Sequence, residues 1–155
     1  MSKEHPLRIG FLIHDVSRLR RTAMDKAMKP LGVTRSQYWV ISNLTRHNGE
    51  GMMQTELANV MNVGKVTLGG LIDRLEDTGY VVRKPDPVDR RAKRIHLTPQ
   101  GKKLVKKMQA AAERENAKIL DGIPENAVAG AEDVLYQMKR RLLEMEEESR
   151  ANKKR

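Results

Sequence analysis

The chain has 155 residues, a formal net charge of +10 and a sequence pI near 10.0, a balance that favours a polyanionic partner such as nucleic acid. Cysteine is absent, which excludes disulfides, thiol nucleophiles and thiol-based redox sensing. No apolar run approaches the roughly 20 residues of a membrane span. The apolar run at residues 9–13 is also too short for a signal peptide, so a cytoplasmic protein is predicted.

Two helices are predicted at the start of the chain. Residues 6–29 carry apolar side chains at the i, i+3, i+4 and i+7 spacing of an amphipathic helix. Pro30 ends this helix, because proline disfavours helical geometry in the residue before it. Thr34 and Gln37 fit a capping box, which predicts a second helix over about 34–47.

The next segment predicts a helix-turn-helix. Residues 47–51 have the composition of a turn, and residues 54–62 suit a short helix. The N-cap of this helix is predicted to be weak, because Met53 offers no side-chain oxygen. A further helix follows over 63–78, and Gly79 suits the left-handed position just beyond a helix end.

A hairpin and two longer helices complete the chain. The β-branched residues 80–84 and the alternating residues 93–97 predict two antiparallel strands, which turn residues at 85–89 join. A long helix is predicted over 99–121 and a last helix over 125–148. The predicted fold class is therefore mainly α with a small β-wing, in a winged helix-turn-helix arrangement.

The predicted elements divide into a DNA-binding lobe and a helical dimerisation region. Residues 34–98 form the winged helix-turn-helix, while residues 1–33 and 99–150 supply the flanking helices. These helices have an apolar face and too little domain of their own to bury it, so a second copy of the chain is the expected cover. Residues 151–155 form a basic tail that is predicted to fray.

The stretch VGKVTLGGLIDRLE, residues 63–76, permits two interpretations. A phosphate-binding P-loop needs glycine five residues before Gly64 and Ser or Thr after Lys65, but Asn59 and Val66 occupy those positions. The alternative is the recognition helix of a helix-turn-helix, whose N-terminal residues face base edges in the major groove. The candidate DNA contacts are then Lys65, Val66, Thr67 and Leu68.

The glycine pair inside this helix needs an explanation of its own. Gly69 and Gly70 each lower helix stability by about 1 kcal/mol relative to alanine. Close approach of the helix to DNA accounts for them, and so does tight packing against the short helix at 54–62. A third interpretation is that the pair merely loosens a surface helix.

The predicted hairpin has a basic tip. Between Arg83 and Arg94, six basic residues stand against two acids, Asp86 and Asp89. Arginines on a protruding loop fit the negative potential of a narrow minor groove, although a solubilising charged turn is the alternative. Asp89 is expected to pair with a neighbouring arginine and hold it in place. The candidate DNA contacts are Arg90, Arg91 and Lys93.

Residues 54–101 resemble the MarR family of bacterial transcription regulators, and within it the SlyA branch. The resemblance rests on LIDRLE..GYV.R at the helix-to-strand junction and on DRRAKRIHLT..G in the wing. It implies a homodimer that binds a pseudo-palindromic operator, with repression as the expected mode. The wing motif D-x-R of the family falls on Asp89 and Arg91. Its recognition-helix positions fall on Lys65, Thr67, Leu68 and Arg74.

The resemblance also implies a small effector. Family members commonly lose DNA affinity when a small anionic aromatic compound binds between the dimer helices and the DNA-binding lobe. This sequence is similar to members that control aromatic-acid catabolism and answer to aromatic acyl-CoA thioesters. Cations beside an aromatic wall suit such ligands, and the candidates are His14, Arg18, Arg21, Tyr38 and Trp39. The alternative is that the two aromatic residues pack in the core and the arginines are solvated.

Catalysis and metal binding have no comparable signal in the sequence. The four histidines lie on four separate predicted elements, so no pair at helical spacing forms a metal site. No Ser-His-Asp arrangement stands out, and we predict neither an enzyme nor a metal or other cofactor. The competing hypothesis for the basic charge is a non-specific architectural DNA-binding protein, which would bind all duplexes alike.

Overall fold

The computed structural model describes residues 8–46 and 50–153 and has the predicted fold class, mainly α with a small β-wing. The helices are α1 (Arg8–Met28), α2 (Arg35–Thr45), α3 (Gln54–Met61), α4 (Lys65–Asp77), α5 (Pro99–Ile119) and α6 (Glu125–Asn152), with a 3-10 turn (Lys29–Leu31) after α1. The strands are β1 (Met52–Met53), β2 (Val81–Pro85) and β3 (Lys93–Leu97). Residues 47–49 of the predicted turn at 47–51 lie outside the described residues.

The helix ends follow the predicted signals. The Thr34 hydroxyl accepts a hydrogen bond from the backbone N–H of Gln37, and the Gln37 side chain accepts one from the backbone N–H of Thr34, which completes the capping box. Met53 precedes α3 without a side-chain cap hydrogen bond in the described structure, as predicted. Gly79 follows α4 with φ of 78°, a left-handed conformation that favours glycine.

The wing belongs to a three-stranded antiparallel sheet in the order β1-β3-β2. Strands β2 and β3 form the predicted hairpin, with Arg83 opposite Ile95 near its middle. Strand β1, which the sequence pattern did not predict, places Met52 on the other side of Ile95. Two residues are too short for an alternating pattern, so this strand is visible only through its pairing. It connects the start of α3 directly to the wing.

Helices α1 to α5 and the sheet, within the first 116 residues, bury a shared aliphatic core. Its fully buried large side chains are Met28, Val40, Ile41, Met52, Leu57, Leu68, Ile72, Leu75 and Ile95. The prediction that Leu68 contacts DNA is wrong, because this side chain is 0% exposed. Leu68 shares the inward face of α4 with Leu71, Ile72 and Leu75, since residues three, four and seven positions apart lie on one side of a helix.

The chain forms two compact units, which divide between Asn116 and Ala117 near the end of α5. Within the first unit, α1 exposes the apolar residues Ile9, Phe11, Leu12, Val16 and Leu19. Within the second unit, α6 exposes Val134, Leu135, Tyr136, Leu142, Leu143 and Met145. Helix α6 continues to Asn152, so the predicted fraying is wrong for residues 151 and 152. Among the described residues, no helix is long and apolar enough to cross a membrane.

Candidate nucleic-acid interface

A cationic groove lies where the starts of α3 and α4 meet the wing. It encloses about 240 Å³ and is lined by Gln54, Thr55, Lys65, Arg91, Ala92 and Lys93. In the described structure, neither α3 nor α4 has a side-chain cap at its N-terminus. Helix N-termini carry partial positive charge and N–H groups that suit an anion. Three cationic side chains beside two helix starts therefore form a surface that suits the phosphates of a nucleic acid.

The turn at the wing tip is organised by the carboxylate of Asp86. One oxygen accepts hydrogen bonds from the backbone N–H groups of Val88 (2.9 Å) and Asp89 (3.0 Å), and the other accepts one from Arg94 Nε at 3.0 Å. The backbone donors of Asp89 and Val88, followed by the Arg94 guanidinium, hold the pKa of Asp86 below its usual value. Arg94 Nη1 also donates to the Gly51 carbonyl at 3.1 Å, which ties the wing to the segment before β1.

Arg91 extends into solvent from this turn. Asp89 Oδ1 accepts hydrogen bonds from the backbone N–H of Arg91 at 3.1 Å and from its Nε at 3.4 Å. The Arg91 side chain is nonetheless 94% exposed, so the pair orients a guanidinium that still faces outward. The predicted pairing of Asp89 with a neighbouring arginine is thus observed. Arg90 on the same turn and Lys93 at the start of β3 are also exposed.

Arg83 has a different place from the other basic residues of the hairpin. Its guanidinium donates to Glu76, to Asp73 Oδ1 (2.7 Å), to Gln54 Oε1 (3.1 Å) and to the Gly69 carbonyl (3.1 Å). These partners lie on α3 and α4, so one half-buried side chain connects β2 to both helices of the helix-turn-helix. The charge count in the sequence did not distinguish Arg83 from the surface arginines, because its partners lie 7 to 29 residues away.

The outer surface of α4 carries four of the predicted DNA contacts. Lys65, Val66, Thr67 and Arg74 are all exposed, in contrast to Leu68. A Cβ on Gly70 would meet no atom within 4 Å among the described residues, and one on Gly69 would approach only Gln54 Nε2 at 3.8 Å. Tight packing against α3 therefore does not explain the glycine pair. The open space fits the two other interpretations, close approach of a partner from outside and a loosened surface helix.

A second cleft, of about 580 Å³, lies between α1, α2, the end of α3 and the side of α4 that carries Thr67 and Leu71. Its lining contains Ser17, Arg20, Arg21, Met24, Asp25, Arg35, Ser36, Tyr38, Trp39, Met61, Val63, Thr67 and Leu71. Trp39 is 45% exposed, so the alternative that it packs in the core does not describe it. Tyr38 is half-buried and also packs against the core. The two aromatic side chains thus share a cleft with several arginines.

The predicted ligand residues occupy two depressions that share Ser17, Arg21 and Arg35. Tyr38 and Trp39 line the larger cleft, whereas His14 and Arg18 line a neighbouring depression of about 490 Å³. Arg21 lines both. The structure therefore separates His14 and Arg18 from the aromatic wall, and of the five predicted ligand residues only Arg21 lines both depressions.

Arg35 is a residue of this cleft that the sequence did not indicate. Its Nε donates to both carboxylate oxygens of Asp25, at 3.0 and 2.8 Å, and its Nη2 contacts the same carboxylate. The hydrogen bond from Arg35 holds the pKa of Asp25 below its usual value. Arg20, nearby, donates through Nη2 to Asn116 Oδ1 at 2.8 Å. Two of the cleft arginines are thereby held in defined positions.

Comparison with known proteins agrees with this geometry. The model of the MarR family matches residues 31–92. A MarR-family transcriptional regulator from Rhodococcus sp. RHA1 is 32% identical, over 88% of this chain and 96% of that one, with a TM-score of 0.75. CouR from Rhodococcus jostii RHA1, solved with p-coumaroyl-CoA, is 34% identical over 84% and 90%, with a TM-score of 0.71. Apo MarR from E. coli is 25% identical over 88% and 98%, with a TM-score of 0.74.

The fold and these likenesses define a winged-helix transcriptional regulator. The chain belongs to the MarR family. This conclusion confirms the predicted resemblance to the MarR family.

Proposed function

We propose that this protein is a homodimeric repressor that binds a pseudo-palindromic operator and releases it when an aromatic anion or aromatic acyl-CoA binds. The observation that carries the proposal is the cationic groove. Two uncapped helix starts, the outer face of α4 and the exposed Arg91 all border one surface of the described structure. Arg91 is held in position by Asp89 but remains exposed, so its side chain does not contribute to the hydrophobic core.

In this proposal, α4 enters the major groove and the wing follows the adjacent minor groove. Lys65, Thr67 and Arg74 supply donors to bases or phosphates, and Val66 supplies an apolar contact. The wing residues Arg90, Arg91 and Lys93 meet the phosphates and the narrow minor groove. Asp89 does not touch the DNA but orients Arg91.

The dimer rests on the apolar faces of α1 and α6. Each helix, within its own unit, exposes at least five large apolar side chains. Apolar patches of this kind mark surfaces that bind another protein. A second copy of the chain, related by a two-fold axis, would cover them. Two-fold symmetry in the protein then requires an operator with two half-sites, whose centres lie roughly 34–36 Å apart.

The cleft between α1, α2 and α4 is the proposed effector site. Trp39 and Tyr38 offer an aromatic wall, and Arg20, Arg21 and Arg35 offer positive charge. An aromatic ring with a carboxylate or phosphate group satisfies both features. The 34% identical CouR, which was solved with p-coumaroyl-CoA, supports a ligand of that class. We propose on this basis that the protein acts in aromatic-compound catabolism.

Release of DNA follows from the position of α4 between the two sites. Thr67 and Leu71 line the cleft, while Val66 and Arg74 are exposed on the same helix. A ligand that wedges against Thr67 and Leu71 shifts the helix and misaligns its outer face with the bases. The ligand drives this change only if it binds the shifted position of α4 more tightly than the DNA-binding position.

The proposal is tested by selecting duplexes from a random pool with the full-length protein. We expect an inverted repeat with half-sites about one helical turn apart. Addition of p-coumaroyl-CoA, its free acid, or CoA alone to the bound duplex identifies the effector chemistry. A pool without any consensus would refute the operator, and an operator that none of the three compounds releases would refute the effector class.

A further inference from the structure

Val66 is an apolar side chain in an unusual place, the first turn of α4. It is 91% exposed, although β-branched apolar residues are more often buried. The next residue but one, Leu68, is fully buried. Residues two positions apart project about 200° apart around a helix, so Val66 points directly away from the protein core.

The surroundings of Val66 on this face are nearly free of side chains. The residues three and four positions later, which normally flank a helical side chain, are Gly69 and Gly70. A Cβ on Gly70 would meet no atom within 4 Å among the described residues. The middle of this outer face therefore combines one isopropyl group with two half-buried glycines that carry no side chain, and it allows a partner to approach closely.

The chemistry of Val66 restricts what it can recognise on DNA. Valine has neither a hydrogen-bond donor nor an acceptor, so it reads a base edge only by apolar contact. In the major groove, the C5 methyl of thymine is the apolar substituent of the four bases. Lys65 on the same turn and Arg91 on the wing line the adjoining cationic groove, which favours a polyanionic partner over an apolar protein surface.

We propose that Val66 is a specificity-determining residue, which packs against a thymine C5 methyl in each operator half-site, and that Gly69 and Gly70 permit this approach. The inference rests on the proposed function, since it requires α4 to lie in the major groove. Beyond that function, it specifies the base, thymine, and the group on that base, the C5 methyl, that Val66 contacts. The contact belongs to bound DNA and contributes nothing to the fold of the free protein.

The test uses the selected operator with each thymine replaced in turn by deoxyuridine, which removes the methyl group and keeps the base pair. We expect the replacement of one particular thymine in each half-site to lower the affinity of the wild-type protein roughly three- to fivefold, which is the effect of one buried methyl group. Val66→Ala is expected to bind the thymine operator more weakly and to lose this discrimination. Val66→Ala should also fold normally, because the side chain is exposed and alanine favours helix.

Val60→Ala is the matched control, since Val60 is an exposed valine on the neighbouring helix α3. This variant should discriminate thymine from deoxyuridine as the wild type does. The inference would be overturned if Val66→Ala still bound the thymine operator more tightly than the deoxyuridine operator. It would also be overturned if the wild type bound every deoxyuridine operator as tightly as the thymine operator, or if the selected consensus contained no thymine. Each of these results requires a selected operator, whereas failure of the proposed function would appear earlier, as the absence of any preferred duplex.

Discussion

Arg83 Nη2 donates a hydrogen bond to the carbonyl oxygen of Gly69, 3.1 Å away, in the middle of α4. The same guanidinium contacts Asp73 and Glu76 on that helix and Gln54 at the start of α3. A single side chain on β2 thus sets the position of the wing relative to the recognition helix. Because both elements must fit adjacent grooves of one duplex, this contact fixes a geometry on which DNA binding depends.

Arg83→Ala is expected to lower operator affinity about tenfold or more while the dimer persists. The change removes the guanidinium from Glu76, which keeps the backbone N–H of residue 83 as a donor, and from the exposed Asp73. The lost charge-assisted hydrogen bonds cost about 1–3 kcal/mol of folding stability. Arg83→Lys should recover only part of both losses, because an ammonium group lacks the planar fork of guanidinium. Thermal unfolding and fluorescence anisotropy measure the two effects. Wild-type affinity in Arg83→Ala would show that the wing is positioned by other contacts.

The hydrogen bonds of the Asp86 carboxylate predict that the wing is less stable at acid pH. Its folded-state pKa is depressed, by the backbone N–H groups of Asp89 and Val88 and then by Arg94. The stabilisation is therefore complete above the unfolded pKa of about 3.9 and is lost as the pH falls through the lower folded value. Asp86→Asn should be less stable than wild type at pH 7 and should lack this acid-dependent step. Melting temperatures from pH 7 to pH 3 test this, and superimposable curves would contradict it.

The Asp25–Arg35 ion pair predicts opposite effects of two substitutions on effector binding. Arg35→Ala removes a cation from the cleft and should weaken binding of the aromatic anion about tenfold or more, the effect of one charge-assisted hydrogen bond. Asp25→Asn releases Arg35 from its carboxylate partner and should strengthen binding. Isothermal titration of the dimer measures both.

Arg46→Ala is the control for this pair of variants, since it removes a positive charge from the opposite end of α2, at a residue that does not line the cleft. Its ligand affinity should equal that of the wild type. Equal weakening in Arg46→Ala and Arg35→Ala would mean that net charge, and not the cleft, determines affinity.

Two glycine substitutions are expected to separate stability from DNA binding. Gly70→Ala should raise folding stability by about 1 kcal/mol, because the site is open and alanine favours helix. It should lower operator affinity, since the new methyl group meets the DNA. Gly101→Ala should instead lower stability by about 1–3 kcal/mol, because its Cβ would collide with the Tyr80 carbonyl. Chemical denaturation and anisotropy measure the pair, and a Gly70→Ala variant with unchanged affinity would refute the close approach.

Local signals in the sequence predicted the helices and the hairpin well. The capping box at Thr34 and the glycine at Gly79 act within a few residues, so they are readable from the chain alone. Leu68 was misassigned from the family's recognition-helix positions, although its spacing from Leu71, Ile72 and Leu75 already places it on the apolar face of the helix. The Asp25–Arg35 and Arg83–Gly69 contacts join separate elements, and their formation depends on packing that no local pattern encodes.

The most direct measurement is the affinity of the full-length protein for the selected operator and for a scrambled duplex, by fluorescence anisotropy at physiological salt. We expect the operator to bind about 10³-fold or more tightly, a typical ratio for sequence-specific regulators. Arg91→Ala should weaken operator binding without altering the dimer or its melting temperature. Equal affinity for both duplexes would contradict the account and would favour a non-specific architectural protein.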